Sequence, residues 1–302
     1  MFGISKYLLT LFLAFAFLFN FAAQAQSVDT TLDPKVEAEV NKLYEEGVKY
    51  LKEKEFDNAI SSFTKVIKLV PHFPNSYLNR AHAYMNKGQY APAIKDYSKV
   101  IEIDPNFANA YVFRGASYRN QGRLDDAIED YTSALAMVKD KNIYYNRAIT
   151  YYDKGLNDKA IEDYTRAIEL DGDFLIAFND RGAAYASKRL YDDAIKDFTR
   201  VIELDPKNIQ VHNNRGNAYL DKGDFKKAME DYITIQSIAP NYAPAYYNVA
   251  RIHGISGNSR ETCRYLNKAI KKGYRYWEQL KNDISFDNIR DSSCFVKIIE
   301  GK

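Results

Sequence analysis

The sequence predicts an all-α solenoid, a stack of about seven helix-turn-helix units, and three observations lead there. The first is the stretch 209–242, IQVHNNRGNAYLDKGDFKKAMEDYITIQSIAPNY, whose apolar and small residues recur at helical spacing. His212, Gly216 and Tyr219 share one face of a first helix, and Phe225, Ala228, Met229 and Tyr232 share one face of a second. Gly216 and Ala228, at the eighth and twentieth places, let two helix axes approach; Lys222-Gly223-Asp224 is the turn between them, and Pro240 stops the second helix. The second observation is recurrence: Pro71 and Pro105 stand 34 residues apart, and the same places take the same residue types along most of the chain. The third is a charged pair that recurs with the period. Arg80, Arg114, Arg147, Arg181 and Arg215 fill the seventh place, and Asp96, Asp130, Asp163, Asp197 and Asp231 fill the twenty-third.

Taken in order, the chain opens with Lys6, an apolar run from Tyr7 to Phe21 and Ala23-Gln24-Ala25, which reads as a secretory signal peptide over residues 1–25. The run falls short of the roughly 20 residues a spanning helix needs; the alternative is an uncleaved N-terminal anchor. Residues 26–39 are a polar segment and a helix extension, with Asp33 as N-cap and Pro34 at the first helical position. Units follow at 40–73 (Gly47, Tyr50, Ala59, Phe63, Pro71), 74–107 (Ala81, Tyr84, Ala93, Tyr97, Pro105) and 108–140 (Gly115, Tyr118, Ala127, Tyr131), the last one residue short. The fourth, 141–174, has Gly172 where proline usually sits; the fifth is 175–208 and the sixth 209–242. The seventh, 243–274, drifts from the pattern, with His253 and Thr262 at places held elsewhere by Tyr and Ala.

These residues resemble the tetratricopeptide repeat, and the tail at 275–302 resembles the short capping helices that follow the last repeat in many bacterial members. The resemblance implies a right-handed superhelix whose first helices line a concave wall, with places two, five, six, nine, twelve and thirteen facing the groove. Place six reads Asn79, Phe113, Asn146, Asp180, Asn214 and Asn248 from the second repeat onward. This is similar to the asparagine ladder of the O-linked N-acetylglucosamine transferase superhelix, where amides hold the backbone of an extended peptide. An amide donates to a carbonyl and accepts from an N–H, which suits that task. The bland alternative is that Asn is simply a soluble groove residue. Val112, Phe113, Tyr145, Ile149 and Tyr152 make an apolar patch at groove places of repeats three and four, read either as an anchor site or as packing between repeats.

The Arg–Asp pair reads as a salt bridge joining the two helices of one repeat. Repeat one carries Glu46 and Ser62 at those places and repeat seven Val249 and Tyr265, so both partners vanish together. The 25 tyrosines read as core, Tyr50, Tyr84, Tyr118, Tyr151, Tyr185 and Tyr219 all falling at place eleven. Cys263 takes a place filled by Ile or Met in the other repeats, hence a small buried apolar residue; export would also permit a disulfide from Cys263 to Cys294.

A net charge of +2, or +1 once Lys6 leaves with the leader, is too small to point to nucleic acid. The four histidines are scattered, and no metal-ligand spacing or phosphate loop occurs, so neither a metal nor a cofactor nor catalysis is expected. The expected function is an exported, periplasmic or extracellular, non-enzymatic scaffold holding an extended partner segment in its groove. No membrane insertion is expected after leader removal. Self-association as a structural spacer and binding of an envelope glycan are the alternatives.

Overall fold

In the computed structural model, residues 33–301 are described. The expected signal peptide, residues 1–25, lies outside them. Sixteen α-helices and one 3₁₀ helix make up the described residues, among which no strand occurs. The chain divides into two units, residues 33–172 and 173–301.

The first unit holds α1 (Pro34–Lys52), α2 (Phe56–Leu69), α3 (Pro74–Asn86), α4 (Tyr90–Ile103), α5 (Ala108–Asn120), α6 (Leu124–Met137), α7 (Lys141–Asp153) and α8 (Asn157–Leu170). Consecutive helices pair off, and each second helix packs on the next first helix. Asp33 caps α1 by accepting from the Lys35 N–H, and Pro34 fills the first turn, where a missing N–H costs nothing. Small residues set the pairing distance. A Cβ on Gly47 would lie 2.7 Å from the Phe63 ring, so only glycine permits that approach of α1 to α2. Ala59, Phe63, Ala93, Tyr97, Ala127, Tyr131, Ala160 and Tyr164 are sealed from solvent.

The second unit holds α9 (Leu175–Ser187), α10 (Tyr191–Leu204), α11 (Ile209–Lys222), α12 (Phe225–Ile238), α13 (Ala243–Ile255), α14 (Ser259–Lys271), α15 (Trp277–Asn282), the 3₁₀ helix (Ile284–Ile289) and α16 (Ser293–Glu300). Its helix pairs repeat the same packing, with Ala194, Phe198, Ala228 and Tyr232 sealed in the core. The 3₁₀ helix lies on α13, and Gly254 makes this contact possible: a Cβ there would meet the Ser285 carbonyl oxygen at 2.5 Å. Leu280, Phe286 and Phe295 are buried with Ala250 and Leu266 in one apolar cluster. Cys263 of α14 and Cys294 of α16 are joined in a disulfide, with Cα atoms 6.1 Å apart.

The turn inside each repeat needs a left-handed residue at place fifteen. Gly88, Gly122, Gly155, Gly223 and Gly257 supply it, and Lys54 (φ 61°) and Arg189 (φ 62°) adopt it against their own sterics. The place-eleven tyrosines depart from the expected core role. Tyr118, Tyr151, Tyr185 and Tyr219 are half-buried, each with the Arg of its own repeat over the ring at 5.8–6.0 Å. Place twenty-four, on the face of the second helix that meets the first, is where the fully buried aromatics sit.

Candidate functional site

The five Arg–Asp pairs are formed as bidentate forks. Arg80–Asp96 closes at 2.7 and 2.8 Å, Arg114–Asp130 at 2.9 and 2.7 Å, and Arg147–Asp163 at 2.7 and 2.8 Å. Arg181–Asp197 closes at 2.8 Å twice and Arg215–Asp231 at 3.0 and 2.8 Å. Each carboxylate is buried and each guanidinium half-buried. Burial pushes the carboxyls of Asp130, Asp163 and Asp197 up from their ordinary range, while the facing guanidinium pulls them down. The fork geometry and the buried partner mark the pairs as structural clasps. The Arg–Asp pattern alone does not announce a third arm: Arg80, Arg114, Arg147 and Arg215 also donate to Thr64, Ser98, Thr132 and Thr199 of the preceding repeat, at 2.9–3.1 Å. His212 joins one clasp, its Nδ1 2.8 Å from Asp231 and its Nε2 3.0 Å from the Pro206 carbonyl. Tyr77 and Tyr246, at the same place, donate to the carbonyls of Pro71 and Pro240.

In the first unit the wall of first helices is α1, α3, α5 and α7. Phe113, Tyr145 and Ile149 are 6%, 2% and 5% exposed, so they are not the open apolar patch that the sequence offered as one reading. Phe113 is wedged into the preceding repeat, 4.5 Å edge-to-face from His82 and stacked 5.9 Å from Tyr97; Tyr145 meets the Tyr164 ring at 5.7 Å. Phe113 thus sinks into the seam between repeats, the nearest dry surface, whereas Tyr145 packs on the second helix of its own repeat. Val112, Asn146 and Tyr152 are half-buried and keep part of their surface on the wall. Asn79 is buried and donates to the Tyr44 hydroxyl at 2.8 Å. His82 has its Nε2 shielded without a partner, and burial lowers its imidazole to about 4.

In the second unit the wall is α9, α11 and α13, and amides pair across its seams. Asn214, 1% exposed, donates to Asn179 Oδ1 at 3.1 Å and accepts from Gln210 Nε2 at 3.1 Å. Asn248 donates to Asn213 Oδ1 at 3.0 Å and reaches Asn217 Oδ1 at 3.5 Å. Asn217 Oδ1 also accepts from the Tyr232 hydroxyl at 2.8 Å, and Asp180 accepts from Asn179 Nδ2 at 2.9 Å. Asn79, Asn214 and Asn248 therefore bond to the preceding repeat and do not stand open as a free ladder, because a place-six side chain points at the seam. Asn179, Asn213, Asn217 and Arg251, at places five and nine, are half-exposed polar groups on this wall. Their signal was present in the sequence as Asn179 before Asn214 and Asn213 before Asn248, each pair 35 residues apart.

Among the described residues no group of three or more His, Cys, Asp or Glu is placed to hold a metal ion, and no helix is long and apolar enough to cross a membrane.

Stacked helix pairs with an internal clasp and a first-helix wall define a class of protein-interaction scaffolds. Tetratricopeptide-repeat profiles match residues 74–107, 108–137, 142–174 and 209–242, and a TPR-repeat profile matches 191–223. The chain is a tetratricopeptide-repeat protein, of a family whose members are in general non-catalytic and bind protein or peptide partners. No curated protein matches it. The C-terminal part of a TPR repeat-containing protein from Cytophaga hutchinsonii shares its fold, with 19% identity, 82% of this chain and 99% of that one covered, and a TM-score of 0.69. The structure of YrrB, described as a TPR protein with an unusual peptide-binding site, is 25% identical over 61% of this chain and 95% of its own, TM-score 0.54. A MamA protein structure is also 25% identical, covering 57% of this chain and 94% of its own, TM-score 0.53.

Proposed function

We propose that the protein is a non-enzymatic scaffold of the cell envelope that holds an extended segment of a partner protein along its first-helix wall. The observation that carries this reading is where half-exposed side chains remain. Val112, Asn146 and Tyr152 in the first unit, and Asn179, Asn213 and Asn217 in the second, all lie at groove places of first helices. A wall built from rigid helices is already ordered before a partner arrives, which lowers the cost of binding. The peptide-binding site of YrrB, a protein of similar fold, lends the reading support. Export is supported by the leader-like run at residues 1–25 and by the Cys263–Cys294 disulfide, which persists in an oxidising compartment. On this reading residues 275–302 cover the end of the last repeat as a cap.

Placing a photocrosslinking amino acid at position 146 or 217, and separately at the exposed outer position 226, tests the proposal in native envelopes. Crosslinks to one partner from the wall positions, with none from 226, are expected. The reverse pattern contradicts a binding wall. Tyr276 and Ile284, 67% and 81% exposed, favour self-association as a second reading; light scattering that stays monomeric at high concentration would remove it.

A further inference from the structure

The solvent-facing stripe of the second helices changes sign in the last repeat. Places eighteen, twenty-two, twenty-five and twenty-nine follow one another at i, i+4, i+7 and i+11, so they share one side of a helix. On α6 that stripe reads Asp125, Glu129, Thr132 and Ala136, on α8 Asp158, Glu162, Thr165 and Glu169, and on α10 Asp192, Lys196, Thr199 and Glu203. On α14 it reads Arg260, Arg264, Asn267 and Lys271, all exposed and without an acid. The one carboxylate of α14, Glu261, stands beside the stripe and is held by Arg264 at 2.8 Å. Helix stability does not account for the change. Arg260 lies in the first turn, at the positive end of the helix dipole, where Asp57, Asp125, Asp158 and Asp192 lie in other repeats.

Beside the cations stands an apolar side chain. Ile233 of α12 is 53% exposed, at the place from which Thr199 accepts from Arg215 one seam earlier. The repeat after Ile233 has Val249 and Tyr265 instead of Arg and Asp, so a hydroxyl would meet no clasp there, and an aliphatic residue takes the place. Tyr265 in turn seats two cations, Arg264 at 5.2 Å and Lys268 at 4.6 Å from its ring centre. Lys226 and Glu230, on the stripe of α12, offset one another. We infer that this outer face of α12 and α14 docks on an anionic lipid bilayer, with Arg260, Arg264 and Lys271 among the headgroups and Ile233 in the interface. A helix stripe open to solvent has no walls to hold a peptide chain; a planar charged surface needs none. Each cation held near such a surface multiplies the affinity about fivefold. The face lies on second helices, so docking leaves the first-helix wall open.

The test is co-sedimentation of the purified protein with vesicles of equal parts phosphatidylglycerol and phosphatidylcholine, and with vesicles of phosphatidylcholine alone, at low and at high salt. Three variants go beside it: Arg260→Gln/Arg264→Gln/Lys271→Gln, Ile233→Ser, and Lys95→Gln/Lys196→Gln, which removes outer cations elsewhere; circular dichroism checks that each is folded. Expected is binding to the anionic vesicles alone, released by high salt. The triple variant should bind about a hundredfold more weakly and Ile233→Ser about threefold, while Lys95→Gln/Lys196→Gln binds as the parent does. Equal binding to both kinds of vesicle, no binding to either, or binding that survives in the triple variant overturns the proposal. So does a protein that ignores vesicles but holds a polyglutamate peptide until Arg260, Arg264 and Lys271 are replaced, a result that would assign the face to an acidic protein segment.

Discussion

The two units share one repeat frame and differ in the side chains they set at place six of their seams. Residues 33–172 set an aromatic wedge there, Phe113 against His82 and Tyr97, beside one amide, Asn79 on the Tyr44 hydroxyl, whereas residues 173–301 pair amide with amide, Asn214 on Asn179 and Asn248 on Asn213. The wedge buries an aromatic ring that would otherwise face the groove, and the amide pairs tie up polar groups that would otherwise face it. What a groove offers a partner is thus the remainder of what its own stacking consumes.

The largest expected effect breaks the dry seam. Phe113→Ala should cost about 4 kcal/mol, the usual toll of emptying a buried aromatic site, and hydrogen exchange should quicken in α3–α6 while the second unit stays protected. The clasps belong to the shared frame, so Asp130→Ala and Asp231→Ala, one in each unit, should each cost about 3 kcal/mol by stranding a half-buried guanidinium. A cost in one unit alone would show that the frames differ. Removing the disulfide with Cys263→Ser and Cys294→Ser should cost about 3 kcal/mol, seen as lower protection of α16 and no change in α1–α4.

A smaller effect separates the units by pH. His82 stays neutral in the folded state, where burial lowers it to about 4 from an ordinary 6.5. The stability it contributes is whole above pH 6.5 and is lost as pH falls toward 4, about 2 kcal/mol by pH 5. His82→Phe should flatten that part of the urea-denaturation profile. Smallest of all, Arg189→Gly should stabilise the second unit by up to about 1 kcal/mol by relieving a left-handed arginine; unchanged urea midpoints would mean the turn absorbs it.

The repeat frame was legible because places eight, twenty and twenty-four tolerate few residues: a ring such as Phe198 at place twenty-four lies 2.8 Å from where a Gly182 Cβ would be. The clasps were legible because Arg and Asp vanish together. Their third arm was written too, since Thr64, Ser98, Thr132, Thr165 and Thr199 occupy place twenty-five, and Ile233 precedes the Arg-less seventh repeat. The wall was harder. Helical spacing fixes a face to within one or two places, and place six sits at its edge, where a small rotation decides between groove and seam. Phe113, Asn214 and Asn248 fell on the seam side. The disulfide was open for a different reason, because an irregular 3₁₀ segment without repeat spacing separates Cys263 from Cys294.

The central claim is that a partner segment lies along the first-helix wall. Once a partner segment has been captured, its affinity for Asn146→Ala/Tyr152→Ala should be set beside that for Lys226→Ala on the outer face, both confirmed as folded. The account expects a loss of about tenfold or more in the first variant and little change in the second. Affinity that falls only in the second would place the partner on the outer face and contradict it.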